Sequence, residues 1–157
     1  MKLTPELNDA FNQQILHEYR NMMAYKKVQC YFEDLQLKKL ASYFKKQSDQ
    51  EKDHADIFVD HLNNRIGGKV TFSDIASPSF EINELNDVGK MYVQLEQQTT
   101  ESIESIFELA FSIKSFIDLS LIEEMLKEQV EEEDTALEFM LKSQNVKDVV
   151  LFDATFG

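Results

Sequence analysis

The sequence predicts an all-α fold, a four-helix bundle with one long crossover connection, and three observations carry that prediction. Strong backbone punctuation is confined to Gly67, Gly68, Gly89, Gly157, Pro5 and Pro78, which leaves room for long uninterrupted helices. Apolar residues recur at alternating steps of three and four through four long stretches. One stretch, 67–84, loses that period and contains Pro78.

Each helix follows from its own stripe. Thr4-Pro5 supplies a cap and a first-turn proline, and the stripe Phe11, Ile15, Glu18, Met22, Tyr25, Gln29 and Phe32 then predicts a helix over about 5–35. A second stripe, Leu40, Phe44, Gln47, Glu51, His54, Phe58 and His61, stops at Gly67-Gly68. The third runs from Leu85 through Val88, Tyr92, Glu96, Thr99, Ile103, Ile106 and Ala110 to Ile113. The fourth takes Leu121, Met125, Glu128, Glu132, Thr135 and Phe139, after a short turn near Lys114. Short first and third turns make two antiparallel hairpins, and the 67–84 connection, extended at about 3.3 Å per residue, is long enough to cross from one end of the bundle to the other. The tail from Asn145 either adds a short fifth helix or covers the bundle end.

The length of 157 residues suits one domain, 1–157, with a single substantial core. A lone cysteine, Cys30, excludes an intrachain disulfide framework. The start "MKLTPELNDAF" lacks the apolar run of a signal peptide, and no stretch reaches the roughly 20 apolar residues of a membrane span. A cytoplasmic chain is expected. A net charge of -13 opposes nucleic-acid and anionic-membrane partners and favours cations.

Every stripe is interrupted by acid near its middle: Glu18, Glu51 with His54, Glu96, and Glu128 with Glu132. Their heights agree. Counting from Leu37, Glu18 lies 19 residues back, Glu51 14 forward and His54 17 forward; counting from Lys114, Glu96 lies 18 back, Glu128 14 forward and Glu132 18 forward. At about 1.5 Å per residue these positions fall within one or two turns of each other. Carboxylates gathered in a low-dielectric core repel one another and take up protons unless a cation reverses the balance. Oxygen-rich ligation with one imidazole suits iron or manganese and also accepts zinc, and two metals sharing a bridging carboxylate satisfy the most oxygens. An isolated Glu-x-x-His on a helix is ordinarily solvated; agreement of four helices in phase and height is what points to metal. Tyr25, two turns after Glu18, is either a core tyrosine with a bonded hydroxyl or a redox participant. Met22, Met125 and the phenylalanines read as core, His17 and His61 as surface or edge residues, and the run Glu131 to Asp134 as partly a solvated face.

The segments "LHEYRNMMAY", "EKDHADIF", "VQLEQQTTESI" and "KEQVEEED" together resemble the bacterial non-haem ferritins over about residues 5–155. The resemblance implies a ferritin-like bundle in which Glu18, Glu51 and His54 hold one iron and Glu51, Glu96 and Glu132 a second, with Glu51 bridging, Gln129 beside the pair and Tyr25 nearby. It implies ferroxidase activity on Fe2+ with dioxygen or peroxide, and iron storage in a homo-oligomeric cage of 24 subunits. The fourth helix reads Glu128-Gln129-Val130-Glu131-Glu132, without the histidine of bacterioferritins and rubrerythrins. Lys52 stands where a bacterioferritin offers methionine to haem, so no haem is expected. Glu128, Glu131 and Glu132 match a third iron site of bacterial relatives, weakened by Gln50 where a glutamate is usual. Glu124 replaces a usual tryptophan, and the tail is short for a fifth helix and four-fold pore. The rival readings are a soluble di-iron oxidase or peroxidase that stores no iron, and a metal-free acidic helical scaffold.

Overall fold

The computed structural model describes residues 1–157 and is entirely helical, with α1 Pro5–Asp34, α2 Lys38–Asn64, α3 Leu85–Ser112, α4 Phe116–Gln144 and a short α5 Val149–Ala154. Thr4 caps α1 by accepting a bond from the Leu7 amide at 3.3 Å, with Pro5 in the first turn. Both hairpins close in the same way, and neither uses glycine. Gln36 and Lys114 adopt left-handed φ values of 59° and 58°. Beyond them Leu37 N bonds Phe32 O at 2.9 Å and Ser115 N bonds Ala110 O at 2.8 Å, the six-to-one bond of a Schellman motif. In the turn beyond the second helix, Gly68 sits where no side chain fits, since a Cβ there would lie 2.1 Å from the Leu62 carbonyl oxygen.

The connection 65–84 runs along α1 and is stitched to it by side chains that take the place of a missing strand partner. Asn12 Nδ2 donates to the Lys69 carbonyl at 2.8 Å and Asn12 Oδ1 accepts the Thr71 amide at 2.7 Å. Further along, the Lys27 ammonium bonds the Phe80 carbonyl and sits 4.8 Å above that ring. The crossover carries the chain from one bundle end to the other: Leu62, at the end of α2, packs with Leu3 and Ala110, whereas Val88, at the start of α3, packs with Phe32 and Leu40. No helix is long and apolar enough to cross a membrane.

Two apolar cores result, one at each end. Tyr25, Phe32, Phe44, Tyr92 and Phe139 centre the first, and Phe11, Phe58, Ile103 and Ile122 the second. Between them lies a buried polar layer containing Glu18, Gln47, Glu51, His54, Glu96, Thr99 and Gln129. The tail does form a fifth helix, capped by Asp148, and its Asp153 accepts the Leu40 amide at 2.8 Å, supplying the cap that α2 lacks on its own N-terminal side.

The phase expected for the fourth helix needs correction. Its buried residues are Asp118, Ile122, Met125, Gln129, Ala136, Phe139 and Ser143: Met125 and Phe139 of the expected stripe are buried, whereas Leu121, Glu128, Glu132 and Thr135 lie one step round from the buried face. Thr135 is exposed, and Glu128 and Glu132 stand at the edge of the buried layer. Met22 is half-buried rather than core. His17 and His61 are half-buried as well, each tied inward: His17 Nε2 bonds Thr99 Oγ1 at 2.8 Å and His61 Nε2 bonds Asp118 Oδ1 at 2.8 Å.

Candidate metal centre

Helix α1 presents Glu18 and helix α2 presents Glu51 and His54 to one point in the polar layer. Three residues apart on α2, Glu51 and His54 share a face. One ligand atom from each of the three lies within 4.8 Å of the others. His54 Nδ1 is 3.8 Å from Glu18 Oε2 and 3.7 Å from Glu51 Oε2, too far for hydrogen bonds. All three atoms are buried and without any partner. The opposite edges of Glu18 and His54 are fixed. Gln14 Nε2 donates to Glu18 Oε1 at 2.8 Å, Gln14 in turn accepts the Ser102 hydroxyl, and His54 Nε2 meets Glu128 Oε1 at 3.0 Å. The side chains are held while their unpaired atoms converge, which is how ligands await a cation.

Glu96 enters from α3 with both oxygens engaged. The Tyr25 hydroxyl donates to Oε1, and Gln129 Nε2 donates to Oε2 at 3.1 Å and to the Glu96 carbonyl at 3.2 Å. Glu96 therefore stands outside the close group formed by Glu18, Glu51 and His54. Glu132 is half-buried, and its charge acts on both Glu96 and His54; Glu131 is exposed. Glu128 is drawn to His54, and Gln50, like Glu131, faces solvent.

The charges behave as a crowded acidic layer must. Burial, and then the neighbouring Glu18, push the Glu51 carboxyl well above the ordinary range. Burial acts against the His54 imidazolium, but Glu18 and Glu51 outweigh it and carry its pKa up to about 12. Burial raises Glu18 too, and there its interactions with Glu51 and His54 outweigh it and hold the carboxyl low. Burial lifts Glu96 to about 7 despite the donors Tyr25 and Gln129, and it lifts Glu132. Without a cation the site is thus a proton store, and a divalent ion entering it displaces protons onto solvent. The donor set of several carboxylate oxygens with one imidazole fits iron.

Reading the sequence missed Gln14, fully buried behind Glu18, and the Ser102 that orients it. The available signal was a helical step of four between Gln14 and Glu18, on the flank of the stripe rather than its centre.

A bundle of four long helices with one crossover, carrying a carboxylate and imidazole centre at mid-height, defines the class: a four-helix protein built to hold metal between its helices. Comparison with known proteins gives the family. A sequence model of the Ferritin family, described as a Ferritin-like domain, matches residues 8–144, and the chain belongs to that family. It is 30% identical over 133 residues to the bacterial non-heme ferritin of Staphylococcus haemolyticus, covering 85% of this chain and 80% of that one. A structure of an open pore ferritin from Archaeoglobus fulgidus superposes with a TM-score of 0.92 at 26% identity, over 98% of this chain and 95% of that one. The apo-ferritin of Pseudo-nitzschia multiseries, at 24% identity and a TM-score of 0.91 over 97% and 99% of the two chains, shares the fold.

Proposed function

We propose that this protein is a cytoplasmic iron-storage ferritin with ferroxidase activity. Fe2+ is its substrate and cargo. Glu18, Glu51 and His54 receive the first ion; Glu51, Glu96 and Glu132 receive the second, with Glu51 shared and Gln129 and Tyr25 orienting Glu96. The observation that carries this reading is the convergence on one point of three buried, unpartnered atoms, Glu18 Oε2, Glu51 Oε2 and His54 Nδ1. Such atoms cost stability unless something binds them.

Fixed anionic oxygens favour Fe3+ over Fe2+, so the layer lowers the cost of giving electrons to dioxygen or peroxide. Gln14 and Ser102 hold Glu18 in place, and Glu128 holds His54 from behind. For the second ion, Glu96 exchanges its bonds to Tyr25 and Gln129 for the metal. Fe3+ then leaves for a mineral core inside a cage of 24 copies. A third iron near Glu128, Glu131 and Glu132 is weak, because Glu128 serves His54 and Gln50 brings no charge.

The test is aerobic addition of Fe2+ followed by size-exclusion chromatography with iron analysis of the eluted species. Rapid oxidation with many irons per subunit on a cage-sized particle is expected. Two irons per subunit on a small oligomer would leave a di-iron oxidase or peroxidase, and no retained iron would overturn the metal reading.

A further inference from the structure

The crossover roofs a cavity of about 280 Å³ between α1 and α3, and the iron chemistry makes no use of it. Its floor is a fixed polar cluster. Thr99 donates its one hydroxyl hydrogen to the Leu95 carbonyl at 2.9 Å, so the same oxygen accepts from Asn21 Nδ2 and from His17 Nε2, each at 2.8 Å. The two donors lie 3.3 Å apart on that oxygen. His17 therefore carries its hydrogen on Nε2 and keeps a bare Nδ1, while Asn21 keeps an uncommitted Oδ1. Neither atom has a protein partner, neither is sealed from solvent, and both residues line the cavity. Burial lowers the His17 pKa against the pull of Glu18, and Arg20 acts with burial, so the ring stays neutral and Nδ1 stays an acceptor.

The mouth has the opposite character. Arg20, one of two arginines in the chain, pairs with no carboxylate, whereas Arg65 is held by Asp118. Ser77, Ser79 and Gln98 add side-chain donors that bond nothing in the protein, and the backbone amides of Ala76, Ser77, Ser79 and Phe80 are equally free. None of the 29 acidic residues lines the cavity, although the chain carries a net charge of -13. Leu95 and Pro78 give it apolar wall.

We propose that this cavity binds a small hydroxylated phosphate of the sugar-phosphate class, its phosphoryl oxygens on Arg20 and the crossover donors and its hydroxyls donating to His17 Nδ1 and Asn21 Oδ1. Each half of such a ligand suits one end of the cavity. A tetrahedral dianion accepts from more separated donors than a carboxylate does, and a guanidinium binds it with charge assistance. The floor would repel an anion, because both of its free atoms are lone-pair acceptors; hydroxyl groups are what satisfy them. The volume also exceeds what a phosphate ion fills and lies near the lower end for small-molecule sites. The site is independent of the iron reading, since no proposed iron ligand lines it.

The probe is ribose 5-phosphate, titrated calorimetrically into the assembled protein without metal, because Fe3+ itself binds phosphate. Inorganic phosphate and ribose are titrated separately as its two halves. One saturable site per subunit is expected for ribose 5-phosphate, with each half bound at least about tenfold more weakly. Arg20→Gln, an exposed change, should weaken ribose 5-phosphate by about tenfold or more at an unchanged melting temperature. Lys52→Gln, which removes an exposed cation on α2 away from the cavity, should leave the affinity as it is. His17→Phe should bring ribose 5-phosphate down to the affinity of inorganic phosphate. Inorganic phosphate bound as tightly as ribose 5-phosphate would overturn the acceptor floor and with it the ligand class. Affinity untouched by Arg20→Gln, or no saturable heat up to millimolar ribose 5-phosphate, would overturn the site itself; either result leaves the ferroxidase reading standing.

Discussion

Two buried acid and histidine groups in this bundle look alike in sequence and differ in what surrounds them. At one end, Asp118 is fully buried and saturated: it accepts from Ser115 Oγ at 2.6 Å, His61 Nε2 at 2.8 Å, and Arg65 Nε and Nη2 at 2.7 and 3.0 Å. At mid-height, Glu18, Glu51 and His54 are equally buried but leave three atoms facing each other unpaired. The difference teaches that burial of charge does not mark a ligand site, whereas unpartnered acid and imidazole atoms converging on one point do. Asp118 is a clamp, tying the end of α2 to the start of α4, while Arg65 Nη1 also donates to the Met1 carbonyl at 2.8 Å.

The sharpest way to break this contrast is to remove one member of the saturated group. Asp118→Ala leaves the Arg65 and His61 side chains without their carboxylate, and a loss of about 3–5 kcal/mol in denaturant-derived stability is expected. Burial raises the Asp118 carboxyl, but its bonds from Arg65, Ser115 and His61 outweigh this and hold it below the ordinary range. A depressed acid stabilises the fold above its unfolded pKa, and that contribution disappears as pH falls through the lower folded value. Acid titration of wild type and Asp118→Asn should therefore converge in stability only below the ordinary carboxylate range. Curves that stay parallel down to that range and below it would remove Asp118 from the role of clamp.

The mid-height group is expected to gain from ions instead. Titrating metal-free protein with Zn2+, or with Fe2+ in the absence of air, should raise unfolding stability by about 2.7 kcal/mol at roughly 100 times the dissociation constant. The increment should vanish in a Glu51→Leu variant and survive in Ser115→Ala, which touches only the end clamp. The pH response also has the opposite sign. Glu96, raised by burial to about 7, holds a proton in the fold that the unfolded chain releases near its ordinary value of 4.5. Its contribution is complete below 4.5 and is lost as pH rises towards 7. Metal-free Glu96→Gln should show a flatter stability profile across that interval; an unchanged slope would mean that Glu96 is already ionised.

How much of this was legible in the sequence follows from how far apart the cooperating residues lie. Periodicity within one helix is a local signal, and it gave the four helices, their hairpins and the long crossover. It also brought Glu18, Glu51 and His54 to one height, because each sits at the centre of its own stripe. Helix α4 was misphased because polar residues occupy both of two adjacent stripes, so Glu128 and Glu132 read as inward while Gln129 and Ala136 are the buried ones. The end clamp joins residues 53 positions apart, Arg65 and Asp118, and only pairing across helices reveals it. Its faint local traces were the step of four from His61 to Arg65 and the step of three from Ser115 to Asp118.

The smallest effect is also the one that most directly separates the two regions, because it applies to Glu51 the kind of change that ruins Asp118. Leucine is close to glutamate in volume, and at position 51 it removes a carboxyl that is buried, crowded by Glu18 and missing a partner on Oε2. Glu18 and His54 then remain as a single opposed pair, so no charge is left uncompensated. Metal-free Glu51→Leu should accordingly match wild type or exceed it by roughly 1 kcal/mol, while Fe2+ oxidation is abolished. Thermal and denaturant unfolding without metal measure the first, and absorbance during aerobic Fe2+ addition the second. A destabilisation comparable to that of Asp118→Ala would show that Glu51 is held by the fold for its own sake, and the distinction between clamp and ligand would fail at the residue on which it chiefly rests.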